Sequence, residues 1–296
     1  MRIIAVIGAG TMGNGIAHVF ALKGYEVRLI DIHREQLDRA LATISRNLDR
    51  QVEKKLITAK EKEAALSRIQ TATELTDGVR NADVVIEAAT ENLEVKLQLF
   101  RQLDQAAPAS CLLATNTSSI SITQIAAVTQ RPDRVIGMHF MNPVPVMKLV
   151  EVIRGYATSE TTTKTIMELS RQLDKVPVEV NDYPGFVANR ILMPMINEAI
   201  YALYEGVAGV EEIDTVMKLG TAHPMGPLEL ADFIGLDVCL AILRVMHEGF
   251  GNPKYAPCPL LVNMVTAGHL GKKSGQGFYN YETLAKGLFV ADRFRK

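Results

Sequence analysis

The residues from Ile3 to Asp31 constrain the fold more than any other part of the chain. Ile3-Ile4-Ala5-Val6-Ile7 is an apolar, β-branched run of a length that suits a buried strand. Gly8-Ala9-Gly10-Thr11-Met12-Gly13 follows, a G-x-G-x-x-G. Ile16, Ala17, Phe20 and Ala21 then recur at helical spacing, and Gly24 stands where a helix would end. A second strand, Val27-Arg28-Leu29-Ile30, leads into Asp31. In this order each glycine has a mechanical purpose. Gly8 allows a tight turn, Gly10 lets the backbone approach a pyrophosphate, and Gly13 lets the helix pack close to the strand. Thr11 and Met12 complete the loop, and the first-turn N–H groups of the helix face the phosphates. Asp31 lies near the expected offset of about 20 residues. Its carboxylate can accept hydrogen bonds from a ribose 2′-hydroxyl and repels a 2′-phosphate. The stretch therefore predicts NAD bound to a doubly wound, Rossmann-type α/β sheet.

Arg2 ahead of an apolar run also resembles the start of a signal peptide, but the glycines break the run at once and no cleavage region follows. The chain has 296 residues, room for one large or two ordinary domains. A formal net charge of −1 implies no nucleic-acid partner. No apolar stretch is as long as a membrane-spanning helix. Cys111, Cys239 and Cys258 are odd in number and scattered, the pattern of reduced thiols in a cytoplasmic protein and not of a disulfide framework or a metal site.

Residues 33 to about 68 read as helix throughout, crowded with Arg46, Arg50, Lys54, Lys55, Lys60 and Lys62 among acids. The segment is either a solvated helical hairpin or an arm whose basic side reaches an anionic substrate. Buried-strand patterns recur at 82–89, 112–115, 134–138, 148–153 and 176–180, with helical patterns after Asn92, after Ser121 and over 160–172. Polar residues gather at the carboxyl ends of these strands: Glu91, Asn116, Ser118 and His139. In an open α/β sheet that edge holds the ligand. At Asp182-Tyr183-Pro184-Gly185 the character changes, and helical patterns run from Val187 to Glu205, Val210 to Leu219 and Leu228 to Glu248. The expected organisation is a nucleotide-binding domain over 1–183 and an all-helical domain over 184–296.

Among six histidines only His139 stands at a strand end facing the expected cleft. Removing a hydride from a carbinol leaves a hydroxyl proton to be taken, a task that suits imidazole near neutrality. A carboxylate that fixes the ring and stabilises the imidazolium makes a better base. Glu151, set among apolar residues on the next strand, needs a buried partner and is the candidate. Ser118 can donate to a substrate oxygen, and Asn189 in Phe186-Val187-Ala188-Asn189-Arg190 is a second candidate donor, or a plain surface residue. Met138, Met141 and Met147 either shape an acyl pocket or are core.

Several blocks resemble the 3-hydroxyacyl-CoA dehydrogenase family, in particular its stand-alone bacterial members that act on 3-hydroxybutyryl-CoA. They are Gly8–Gly13, Glu87-Ala88 through Glu91-Asn92, Asn116-Thr117-Ser118-Ser119, the run from Gly137 through Glu151, Gly185–Arg190, His223-Pro224-Met225-Gly226-Pro227, and Gly271 through Tyr279. They span essentially the whole chain in family order. The resemblance implies reversible, NAD-dependent oxidation of (S)-3-hydroxyacyl-CoA to 3-oxoacyl-CoA. His139 matches the family's base and Glu151 its paired carboxylate. Ser118 and Asn189 match the residues that hold the reacting oxygen. Asp31, Glu91, Lys96 and Asn116 match cofactor contacts. The helical domain is similar to one that dimerises and closes the cleft, and the basic arm to one that touches coenzyme A, with Lys54 the expected contact. Asn47 departs from the pattern, standing where some relatives carry a serine that touches coenzyme A. Association with other β-oxidation enzymes is compatible with the resemblance. Two alternatives remain: a dehydrogenase of free hydroxy or sugar acids of the L-gulonate type, and a non-catalytic NAD-binding structural protein of the lens-crystallin kind.

Overall fold

The apolar runs of the first half become the strands of one sheet in the computed structural model, which describes residues 1–282 and 287–295. The chain divides into two units, Met1–Tyr183 and Pro184–Lys296. In the first, strands and helices alternate: β1 (Ile3–Ile7), α1 (Thr11–Leu22), β2 (Glu26–Ile30), α2 (Arg34–Glu53), α3 (Ala59–Ser67), β3 (Ile69–Ala72), α4 (Leu75–Val79), β4 (Val84–Glu87), α5 (Leu93–Ala106), β5 (Leu112–Thr115), α6 (Ile122–Ala126), β6 (Val135–Phe140), β7 (Leu149–Arg154), α7 (Glu160–Gln172) and β8 (Val176–Asn181).

The sheet order is β3-β2-β1-β4-β5-β6-β7-β8. Pairs from β3 to β6 are parallel, β6 and β7 are antiparallel, and β7 and β8 are parallel. Every residue of β4, β5 and β6 is buried, because a parallel sheet is covered on both faces. That explains their unbroken apolar runs. The strand order reverses between β1 and β4, which opens a crevice at their carboxyl ends. The Rossmann-type sheet expected from the sequence is therefore present.

Local detail is added at three places. The helical arm is a pair of helices, as a hairpin requires, because Lys55 adopts φ 57° and Thr58 starts α3 afresh. The Thr58 hydroxyl accepts from Glu61 N, and the Glu61 carboxylate accepts from Thr58 N at 2.7 Å, a capping box written in the sequence as T-x-x-E. The pattern from Leu228 to Glu248 is also two helices, broken at Gly235, whose φ of 105° no helix accommodates. The short β3 and α4 had no distinct sequence signal.

The second unit holds α8 (Ala188–Tyr204), α9 (Val210–Gly220), α10 (Pro227–Ile234), α11 (Leu236–Phe250), α12 (Pro259–Thr266) and a small hairpin of β9 (Tyr279–Asn280) with β10 (Phe289–Val290). Its core gathers Ile196, Ile200, Leu228, Leu243, Leu261 and Phe278. Two buried carboxylates tie it together. Asp214 accepts from the N–H groups of Leu228 and Glu229, starting α10, and from the Tyr279 hydroxyl at 2.8 Å. Asp232 accepts from Phe278 N and Tyr279 N, and burial pushes its carboxyl up to about 6 against those bonds. Cys111, Cys239 and Cys258 are buried, free thiols. Among the described residues no helix is long and apolar enough to cross a membrane, and no His/Cys/Asp/Glu cluster is placed to hold a metal ion.

Candidate active site

The crevice at the β1–β4 reversal opens into a cavity of about 1280 Å³, lined by Gly8, Gly10, Thr11, Met12, Asp31 and the segments 32–36 and 88–90 among others. Its floor is the Gly-rich loop. Gly8 has φ +91°, and a Cβ there would lie 2.6 Å from Ala88 O. A Cβ on Gly13 would lie 1.7 Å from Gly8 O, so the start of α1 packs on the loop only because Gly13 has no side chain. Gly10 differs: a Cβ there would meet nothing within 4 Å. The protein's own packing does not require that glycine, whereas a pyrophosphate lying against the loop does. The N-terminus of α1 carries no side-chain cap and no acidic residue in its first turn, which leaves its dipole directed at an anion. These residues fit a dinucleotide.

This geometry separates two substitutions. Gly13→Ala drives a Cβ into Gly8 O and is expected to cost about 1–3 kcal/mol of stability. Gly10→Ala is expected to leave the melting temperature unchanged yet weaken NADH by about tenfold or more, roughly 1.4 kcal/mol. Thermal melts and NADH fluorescence titrations of both variants check this. Equal melting and equal affinity for Gly10→Ala and wild type would remove the pyrophosphate explanation.

Asp31 ends β2 beside this loop. Its Oδ2 accepts from Ala9 N at 2.9 Å and its Oδ1 from His33 N at 3.0 Å, which holds the carboxylate at the cavity wall.

Past the end of β4 the polar residues form one connected group. Glu91 Oε1 accepts from Thr117 Oγ1 at 2.6 Å, Ser118 N at 3.0 Å, Ser118 Oγ at 3.2 Å and Ser119 Oγ at 3.2 Å. Partial burial works to raise the Glu91 carboxyl, but Lys96 and the bonds from Thr117 and Ser118 outweigh it and hold the group below the usual range. Lys96 Nζ lies 3.5 Å from Glu91 Oε2 and bonds both oxygens of Glu87, at 2.6 and 2.8 Å. Lys96 is 1% exposed, a buried cation behind Glu91. Asn116 Oδ1 accepts from Phe140 N at 2.9 Å, which staples the end of β5 to the end of β6 beside His139.

His139 and Glu151 are direct register partners across the antiparallel β6–β7 pair. Opposite residues on neighbouring strands put their side chains on one face within contact distance. His139 Nδ1 lies 2.8 Å from Glu151 Oε2, and both residues are buried. An ionised carboxylate only accepts, so beside ionised Glu151 Nδ1 is the nitrogen that donates, which leaves Nε2 to exchange a proton with a substrate.

The remaining candidates stand on other elements. Lys54 is the exposed C-cap of α2. Asn47, two turns earlier on the same helix, lines an adjoining cavity of about 320 Å³ with Asn14, Thr43 and the segment 142–145, and Gly10, Thr11, Gln36 and Arg39 line both cavities. Asn189 belongs to the second unit, buried in the first turn of α8. Met138 is core, whereas Met147 is 41% exposed. Sequence reasoning assigned no role to Glu87 or Thr115. Thr115 Oγ1 donates to Glu87 Oε2 at 2.7 Å and so helps anchor Lys96. The available signal was a glutamate inside an apolar strand, which demands a buried partner.

Comparison with known proteins agrees with this arrangement. Residues 3–183 match the model of the 3-hydroxyacyl-CoA dehydrogenase NAD-binding domain, and residues 185–281 that of the 3-hydroxyacyl-CoA dehydrogenase C-terminal domain. A probable 3-hydroxybutyryl-CoA dehydrogenase of Bacillus subtilis is 57% identical over 94% of this chain and 97% of its own length. The human mitochondrial hydroxyacyl-coenzyme A dehydrogenase is 45% identical over 94% of this chain and 91% of its own. The crystal structure of (S)-3-hydroxybutyryl-CoA dehydrogenase from Ralstonia eutropha superposes with a TM-score of 0.92 at 51% identity, covering 96% of this chain and 100% of that one. With both domain models matched in order and identity above half along nearly the whole length, this chain belongs to the 3-hydroxyacyl-CoA dehydrogenase family.

Proposed function

We propose that this chain catalyses the reversible, NAD-dependent oxidation of (S)-3-hydroxybutyryl-CoA to acetoacetyl-CoA, with His139 as general base and acid. The observation that carries the reading is the buried His139–Glu151 pair at the end of β6, 2.8 Å apart, in a chain of this family. Bound NAD supplies the hydride acceptor. With Nδ1 committed to Glu151, Nε2 takes the 3-hydroxyl proton during oxidation and returns it during reduction. Glu151 keeps the ring in one orientation and favours the imidazolium that forms. Asn189, and Ser118 once its hydroxyl turns from Glu91 to the substrate, donate to the 3-oxygen as charge develops on it. Gly8, Gly10, Thr11, Met12 and Gly13 cradle the pyrophosphate, and Asp31 binds the adenosine ribose. Glu91, Lys96 and Asn116 complete the nicotinamide side, with Lys96 acting as the cation that holds Glu91. Lys54 and the basic arm meet the phosphates of coenzyme A.

The nucleotide-binding domain is 1–183, and 184–296 forms the substrate and dimerisation domain. Ile191, Val216 and Leu219 on α8 and α9 are 68%, 64% and 83% exposed, apolar surface of the kind that a second copy covers in a homodimer. The protein works in the cytoplasm, alongside other enzymes of β-oxidation.

The test is NADH oxidation on addition of acetoacetyl-CoA, with NADPH, free acetoacetate and gulonate as parallel arms. Turnover with the thioester and NADH alone supports the reading. Turnover of gulonate, or none with any substrate while NADH still binds, overturns it.

A further inference from the structure

The connection between β6 and β7, residues 141–148, joins the strand of His139 to the strand of Glu151. It is irregular and contains Pro143 and Pro145, which have no N–H to donate. Within it, Val146 N and Met147 N both donate to Pro143 O. Carbonyls of such a segment need partners when buried. Two of them, those of Val144 and Met147, are taken by one side chain from a distant part of the chain. Lys175, between α7 and β8, is 7% exposed, and its Nζ donates to Val144 O at 2.5 Å and to Met147 O at 2.7 Å. Hydrogen bonds from an ammonium are roughly twice as strong as neutral ones.

What these two bonds fix bears on the site. Val144 is buried against α1: a Cβ added at Gly15 would lie 2.9 Å from Val144 Cβ. Segment 142–145 walls the smaller cavity opposite Asn47, whereas none of it lines the larger cavity of the Gly-rich loop. The connection thus sets the width of one cavity without entering the other.

We propose that Lys175 is a positioning residue for thioester turnover, clamping the β6–β7 connection so that the smaller cavity keeps its shape and the His139 and Glu151 strands keep their register. The proposal rests on the functional reading above, and its thioester arm presupposes that reading.

The clamp depends on charge, and its surroundings make that charge labile. Burial, and after it the nearby Lys148, bring the Lys175 ammonium down to about 8, with Asp174 acting in the opposite sense. Asp174 itself pairs with Lys23. His18 on α1 also faces Lys175, and burial lowers it to about 4, so it adds no charge at neutral pH. The clamp is therefore fully charged well below pH 8 and weakens as pH rises through that value.

The experiment uses the full chain and the variants Lys175→Met and Lys175→Arg. Lys175→Met leaves the buried Val144 carbonyl and the part-buried Met147 carbonyl without the ammonium and is expected to raise KM for acetoacetyl-CoA about tenfold, with NADH affinity within about twofold of wild type. Hydrogen exchange of the Val146 and Met147 amides should accelerate while that of β1 is unchanged. Lys175→Arg keeps its charge, so the rise in KM for acetoacetyl-CoA expected of wild type above pH 8 should move upward by more than about one unit, apart from any fall in kcat that His139 causes. An unchanged KM with unchanged loop exchange overturns the clamp, as does a rise in KM at the same pH in Lys175→Arg. Parallel loss of NADH affinity and loop order would make Lys175 merely structural. If wild type fails to turn over acetoacetyl-CoA while exchange in Lys175→Met still accelerates, the functional reading fails and the clamp stands.

Discussion

Replacing His139 by alanine is expected to lower kcat for acetoacetyl-CoA reduction by about 10³-fold, the middle of the range for loss of a general acid–base group. NADH affinity should stay near wild type, because His139 is held by Glu151 and acts on the substrate's 3-hydroxyl, whereas the dinucleotide is held by the Gly-rich loop and Asp31. The size of the effect follows from geometry. The ring is held at Nδ1 by a carboxylate directly opposite in the sheet, so Nε2 is presented in one orientation. Alanine removes the proton carrier and leaves Glu151 buried without its ring partner. Glu151→Gln tests the second half of this arrangement. It keeps the shape but replaces the anion that stabilises the imidazolium, so its loss should be smaller than that of His139→Ala and should grow in the direction that needs the imidazolium. Stopped-flow single turnovers with NADH and acetoacetyl-CoA separate the chemical step from binding. A His139→Ala protein with kcat within about tenfold of wild type would show that another group carries the proton.

The His139–Glu151 pair was legible because both ends of the reasoning were local. A histidine at the end of a buried strand and a carboxylate twelve residues on, inside the next apolar strand, are a hairpin's opposite positions once the strands pair. The Gly-rich loop was legible for the same reason, since strand, turn, helix and acid lie within 31 residues. Residues whose role depends on distant chain were not legible. Lys175 reads as one more charge before a strand, and only the sheet order brings its ammonium to Val144 and Met147. The place where the arm turns, at Lys55, and the split of the 228–248 pattern at Gly235 went unread for a different reason. Apolar periodicity continues across both breaks, while the capping box at Thr58 and the glycine at 235 carry the stop signal in single residues.

The largest stability effect is expected at Glu87 and Lys96. Both are essentially inaccessible, at 0% and 1% exposure, and each satisfies the other. Glu87 accepts from Lys96 on both oxygens, from Ala89 N at 2.7 Å and from Thr115 Oγ1 at 2.7 Å. Removing one partner strands a charge in a site closed to bulk solvent. Lys96→Met, or Glu87→Leu alone, should therefore cost about 3–5 kcal/mol. Removing both behaves differently, since a buried ion pair is often replaced by apolar side chains at little net cost. The double variant Glu87→Leu/Lys96→Met should recover most of the stability lost by either single change. It should not recover cofactor binding. Glu91 lies 3.5 Å from Lys96, which helps hold its carboxyl below the usual range, and without that cation the carboxylate loses the charge that fixes its place in the site. Denaturant melts and NADH titrations on the three variants separate the two roles. If Lys96→Met melts within about 1 kcal/mol of wild type, the pair is not the buried anchor described. If the double variant regains NADH affinity along with stability, Lys96 serves the fold alone and Glu91 holds its place without it.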